Sequence, residues 1–367
     1  MSLRSKSRPL AVATALVSGL ALVTPTTAGA HGYRHGSSHD LAVQQVNLVS
    51  DQAGKAPLQD PDLVNAWGLS LGATTPLWVS DTNMSASTLY SAAPGATAAT
   101  KSSMVRVDVP LPTGQVNNPG TNFVLSNGTA SAPARFIFAT LTGQIAAWGP
   151  PVTPLIGAAQ IKATTPGAAY TGLAISPMAD RLFAANFAQG RIDVFDSMFA
   201  PVKLPRWAFR DFTLPRGYAP FNVQTLGGRI FVTYAKPDPK TGRSLAGRGL
   251  GFVDEYTVDG KLVTRVASHG PLNAPWGLAL APTAWGQPAG TLLVGNFGDG
   301  HINILEPRPH GRFKLTGQVH TPDGKTLTID GLWALLQGTP TTGGTDALWF
   351  SAGPDQETHG LLGLLRK

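Results

Sequence analysis

Two stretches of the chain, 110 residues apart, carry one pattern: residues 181–196 read RLFAANFAQGRIDVFD and residues 291–306 read TLLVGNFGDGHINILE. In each, an apolar run ends on an asparagine, Asn186 or Asn296, and a phenylalanine follows. Gly190 or Gly300 then reverses the chain, and apolar and polar residues alternate on the way back. An apolar run, a glycine turn and a period-two return are the signature of a β-hairpin. Such a hairpin cannot bury its own apolar face, so its recurrence restricts the fold to architectures in which copies pack on one another.

Weaker copies fill the intervals. Six segments each begin with a short apolar strand, at 67–70, 122–125, 171–174, 221–223, 276–279 and 331–334. Each continues into a second strand, at 77–80, 136–139, 182–185, 230–233, 292–295 and 348–351, that is apolar at nearly every position. Aligning Gly68, Phe123, Gly172, Asn222, Gly277 and Leu332 gives steps of 55, 49, 50, 55 and 55 residues, the length of a four-stranded propeller blade. Runs apolar on both faces suit strands packed between neighbouring blades. Third strands alternate more clearly, as at 145–148 and 191–195, and the clearest outer strands are at 104–107 and 262–265. The 42 glycines and 30 prolines supply the many turns that short strands need. The sixth segment stops at its third strand, 360–365, and a spare strand at 41–49 can complete it, closing the ring and removing free edges. The expected fold is an all-β six-bladed β-propeller over 41–367 with the N-terminal strand closing the last blade.

The first thirty residues read as a signal peptide: Arg4, Lys6 and Arg8 precede an apolar stretch at 10–23, and Ala28, Gly29 and Ala30 supply a small-residue cleavage site. A secreted or periplasmic location follows. No other apolar run approaches the ~20 residues of a membrane span. Residues 31–40 form a flexible His/Gly/Ser-rich segment with His31, His35 and His39, better suited to a solvated tail than to a copper or zinc site. The chain has no cysteine, which excludes thiolate metal sites and cysteine nucleophiles. Without the three basic residues of the leader, the formal charge falls from +7 to +4. The remaining basic residues are scattered, so no nucleic acid is expected as a partner.

NAWGL at 65–69, NAPWGLALAP at 273–282, GYAPFNVQTLGGRIFVTYAK at 217–236, LLVGNFGDGHIN at 292–303, DGLWAL at 330–335 and SAGPDQETHGLLG at 351–363 together resemble an uncharacterised family of exported bacterial proteins. The likeness runs from about Val46 to the end of the chain. It implies a six-bladed propeller related in shape to NHL-repeat and gluconolactonase-like proteins, and supplies no reaction or ligand.

Aligned ends of the second strands bring Asp81, Thr140, Asn186, Tyr234, Asn296 and Ala352 to equivalent places around the expected mouth of the central channel. Oxygen donors in a ring can hold Ca²⁺, and the metal candidates are Asp81, Asn186 and Asn296. The shape resemblance implies a lactonase-type use of such a cation, to polarise a carbonyl and position water; Tyr234 and Ala352 depart from that pattern. Asn186 and Asn296 equally suit the fixing of their own turns. Lys236 begins a Gly/Pro-rich basic loop, 236–251, with Lys240, Arg243 and Arg248, able to meet an anionic ligand. Asp299, Asp355, Glu357 and His359 can reach the same mouth. Gly68 to Gly72 matches G-x-S-x-G, but Ser70 falls inside a strand rather than on a strand-to-helix elbow, which rejects it as a nucleophile. The expected function is a monomeric binding scaffold for a small molecule, glycan or surface component at the channel mouth. A divalent-metal-dependent ester or lactone hydrolase and a cell-surface or matrix interaction protein are the alternatives.

Overall fold

The computed structural model describes residues 41–367; the leader expected at 1–30, the segment 31–40 and its histidines lie outside the described residues. Nearly all the regular secondary structure among the described residues is strand. Six sheets stand around one axis, and their innermost strands contact one another in ring order. Blade 1 runs outward from Ala66–Ser70 through Leu77–Asp81 and Ala86–Ser91 to Arg106–Asp108. Blades 4 and 5 have four strands each, starting at Ala219–Leu226 and Pro275–Leu280. Blade 3 starts at Tyr170–Ile175 and has only three, its outer edge reduced to a single bridge between Phe195 and Pro201. Second strands such as Leu77–Asp81, Phe136–Thr140 and Ala347–Ala352 are buried at every position, because each lies between two neighbouring sheets.

Blade 6 contains the ring closure. Gln44–Ser50 pairs antiparallel with Leu361–Arg366, from Gln44 opposite Arg366 to Ser50 opposite Leu361. Leu48 and Val49 are fully buried there, and Ser50 Oγ donates to Gly360 O at 2.8 Å.

Blade 2 departs from the sequence expectation. Its innermost strand is Pro112–Asn117, whereas Val124–Ser126, within the expected 122–125, pairs with Ser131–Pro133 in a separate ribbon. Phe123 has a left-handed backbone (φ 60°) and packs fully buried against Phe199, 5.2 Å between ring centres. Its apolar neighbourhood is a wedge between blades rather than a strand. The register of the repeat therefore passes through Gly114, not Phe123.

Glycines bring neighbouring inner strands into close contact around the axis. A Cβ on Gly68 would lie 2.2 Å from Thr113 O, one on Gly114 2.2 Å from Leu173 N, and one on Gly172 2.2 Å from Asn222 Oδ1. Inner strands thus approach more closely than any side chain allows. Their axial edges are unpaired sheet edges whose carbonyls need donors. Neighbouring blades supply them: Thr82 donates to Pro112 O, Thr113 to Tyr170 O and Thr171 to Phe221 O, each at 2.7 Å. Asn222 donates to Trp276 O at 2.8 Å and Ser351 to Trp67 O. The relay ties each of these blades to the inner strand of the next.

Candidate functional site

On one face of the ring the inner strands begin and the second strands end, with Asp81, Asn186 and Asn296 opposite Ala66, Tyr170 and Pro275. These three residues occupy equivalent places, and each turns into its own blade. Asp81 accepts from Thr88 at 2.6 Å, Asn186 donates to Asp193 at 2.7 Å, and Asn296 accepts from Asn303 at 3.2 Å. Every partner lies seven residues on, across the hairpin. Asn186 also accepts the backbone N–H of Gln189 (3.1 Å), and Asn296 donates to Asp299 (3.0 Å) and Pro271 O (2.8 Å). Thr140 accepts the backbone N–H of Gln144 at 3.0 Å, Tyr234 shares a 2.7 Å hydroxyl contact with Tyr256, and Lys236 is exposed. Asp299 further accepts from Asn273 at 3.1 Å. No hydrogen bond joins Asp81, Asn186 and Asn296 to one another. Among the described residues no group of three or more His, Cys, Asp or Glu is placed to hold a metal.

Asp81 belongs to a buried chain in blade 1. Thr88 shares a 3.1 Å contact with Tyr90, Tyr90 donates to Asp60 at 2.6 Å, and Lys101 reaches Asp60 at 2.8 Å and Asp62 at 2.6 Å. Burial pushes the Asp81 carboxyl well above the usual carboxylate range; the Thr88 hydrogen bond opposes this and the nearby Asp60 adds to it. Asp81 Oδ1 is buried with no partner.

The mouth itself is aromatic rather than polar. Trp333 stacks on Trp67 at 3.7 Å and on Phe297 at 4.0 Å, with Trp276 edge-on at 5.7 Å. Phe221 lies 5.8 Å from Trp333 and 5.0 Å from Phe187. These rings come from the AWGL, PWGL and LWAL inner strands, from Phe221, and from the phenylalanines that follow Asn186 and Asn296. The motifs of separate blades therefore converge at one place. They leave a pit of about 110 Å³ bounded by Trp67, Phe187, Phe221 and Trp333, with Arg243, Ser244 and Glu357 at its rim. Trp333 Nε1 donates to Asn65 and Trp276 Nε1 to Thr171 O, both at 2.9 Å, while Trp67 Nε1 is buried without an acceptor.

A latch crosses this pit. Glu357 forms an ion pair with Arg243 of the basic loop and accepts from Asn65 at 3.1 Å; Asn83 donates to its backbone carbonyl at 2.6 Å. Glu357 ends three successive residues with left-handed backbone, Asp355, Gln356 and Glu357, at φ 53°, 58° and 71°. Each costs about 1–2 kcal/mol in an L-residue, and such strain gathers where function requires a fixed geometry. Burial raises the Glu357 carboxyl pKa, while Arg243 and Asn65 pull it down. His359 stands apart from the pit, held by Asp51 at 2.7 Å.

Fold and site together define a six-bladed β-propeller with an aromatic pit at one end of its axis. The chain is 30% identical over 326 residues to one uncharacterised protein of Acanthamoeba polyphaga mimivirus, covering 87% of this chain and 79% of that one. It is 33% identical over 341 residues to a second uncharacterised mimivirus protein, covering 90% and 88%. The chain belongs to the family of these proteins. Its named relatives are viral, which leaves the expected bacterial membership unsupported. No protein-family model matches the chain. Among solved structures, a protein of unknown function from Bacteroides thetaiotaomicron superposes with a TM-score of 0.52 at 11% identity, over 88% of this chain and 75% of that one. A gluconolactonase from Xanthomonas campestris gives 0.40 at 18% identity, over 62% and 81%.

Proposed function

We propose that the chain is an exported binding scaffold whose ligand enters the aromatic pit at the mouth of the axis. Export rests on the leader read at 1–30. The ligand we infer is a small aromatic or otherwise apolar ring carrying a carboxylate or similar acceptor group. The observation that carries this reading is the pit that Trp67, whose N–H is buried without an acceptor, lines together with the paired Arg243 and Glu357. A buried donor without an acceptor costs about 1–3 kcal/mol, which an incoming acceptor recovers. A carboxylate that takes Arg243 from Glu357 releases the latch, and the aromatic walls cover the ring. At about 110 Å³ the pit is smaller than the ~150 Å³ cavity that holds a benzene, so it admits no more than one ring. Titrating benzoate and benzyl alcohol while following tryptophan emission and heat tests the reading. Benzoate should bind more tightly, Arg243→Ala should cost about tenfold to a hundredfold, and Trp67→Phe should weaken binding while keeping the ring. Equal binding of both probes, or an Arg243→Ala variant unchanged toward benzoate, refutes it.

Metal-dependent hydrolysis of an ester or lactone is the second reading. Its support is the orphaned Asp81 Oδ1, since Asp81 heads the set Asp81, Asn186 and Asn296. Burial that disfavours the charged form of Asp81 weakens it as a cation ligand, so this reading stands second. Elemental analysis and a calcium titration of the melting temperature separate the two: no bound metal and no stabilisation by calcium sinks the hydrolase.

A further inference from the structure

A second cavity lies at the opposite end of the axis. It measures about 400 Å³ and is lined where inner strands end: Ser70 in blade 1, Asn117 in blade 2, Ile175 in blade 3, Gln224 in blade 4 and Leu336 in blade 6. Its lining shares no residue with that of the aromatic pit. We propose that this funnel is a second ligand site, for a neutral polyhydroxylated molecule of monosaccharide to disaccharide size.

Charge argues the first half. Among the described residues lining the funnel none is ionisable, so a charged ligand entering it would lose water without gaining a counter-ion. Free hydrogen-bonding groups argue the second. Ser70 is only 5% exposed and its Oγ has no partner. Gln224 makes no side-chain hydrogen bond within the described residues, and Asn117 uses only Nδ2, donating to Arg135 O at 3.1 Å. These three neutral groups come from three blades and alternate with the apolar Leu71, Ile175 and Leu336. A sugar presents the complementary alternation of hydroxyls and C–H faces, and the volume lies in the range of small-molecule sites. The G-x-S-x-G motif gains a role in this way. Gly68 is required by the 2.2 Å approach to Thr113 O, and Ser70, with no imidazole or carboxylate beside it in the funnel, is a binding hydroxyl rather than a nucleophile.

Saturation-transfer NMR and titration with methyl glucoside and maltose, with glucuronate as the charged control, test the site. At least one neutral sugar should bind, glucuronate should bind about tenfold more weakly, and Ser70→Ala and Gln224→Leu should each weaken the neutral sugar about five- to tenfold. Arg243→Ala, at the other end of the axis, should leave sugar binding unchanged while weakening benzoate binding, so the two sites fail separately. Melting curves check that the variants fold, and Gln224→Ala replaces any that does not. The proposal is overturned if no neutral sugar binds up to ~50 mM, far above the millimolar range of weak specific binding. It is equally overturned if glucuronate binds as well as methyl glucoside, or if both variants keep wild-type affinity.

Discussion

Leu48→Ala tests whether the first strand is part of the ring or an attachment to it. Leu48 is fully buried in the strand that completes blade 6, packed with Val49, Leu362 and Leu364 in one core cluster. Truncating a leucine at such a site costs about 2–5 kcal/mol. Domains are stable by only about 5–15 kcal/mol, so the change is a large part of the whole. If the closure is integral, the loss acts on global unfolding. At a urea slope of about 3 kcal/mol per M, the midpoint falls by about 1 M with the slope unchanged. The paired control is Leu364→Ala, also fully buried, in the strand that receives Gln44–Ser50. Both variants should give one transition shifted by similar amounts, by far-ultraviolet dichroism and by tryptophan emission. An early, separate transition in Leu48→Ala, or a midpoint shift under about 0.3 M while Leu364→Ala shifts fully, would show that the strand frays alone and would refute the reasoning.

Further outcomes follow from the same geometry. Because burial raises the Asp81 pKa above its unfolded value, its contribution to stability is complete below the ordinary carboxylate range and is lost as pH rises through the elevated pKa. Asp81→Asn cannot ionise, so it should melt later than wild type at about pH 8, with the difference shrinking toward about pH 4; melting curves across that range check the sign. Gly114→Ala forces a Cβ to within 2.2 Å of Leu173 N at the axis and should cost about 3 kcal/mol or prevent folding, measured by denaturation. Asp355→Gly, at an exposed residue with φ 53°, should raise stability by about 1 kcal/mol by relieving left-handed strain, visible as a later melt.

The second strands were legible because their burial between blades demands unbroken apolar runs. The inner strand of blade 2 was not, because Pro112–Asn117 spends its positions on other work. Thr113 and Gln115 donate to backbone carbonyls of other strands, so no apolar period marks it, while the wedge around Phe123 imitated one. At the mouth, the positions of Asp81, Asn186 and Asn296 were readable and their direction was not. The clue lay in the sequence: each is followed seven residues later by a polar residue, Thr88, Asp193 or Asn303, on the returning strand. The aromatic pit had a signal too, in Trp67, Trp276 and Trp333 near the start of three inner strands and in phenylalanines after two of the asparagines. The sequence position of Glu357 puts it within reach of the mouth. Its fixed place over the pit depends on three left-handed residues, none of them glycine, and residue type alone does not announce that conformation.

The pairing of Gln44–Ser50 with Leu361–Arg366 also sets a timetable. Ser50 and its partner Gly360 are 310 residues apart, so at about 5–20 residues per second the ribosome makes the first strand roughly 15–60 s before its partner exists. Until then the nascent protein is an open row of blades with an unsatisfied edge at each end, and no earlier sheet can substitute without spoiling the register. Closure waits until the 361–366 strand has been made. Only then does the row of blades become a ring.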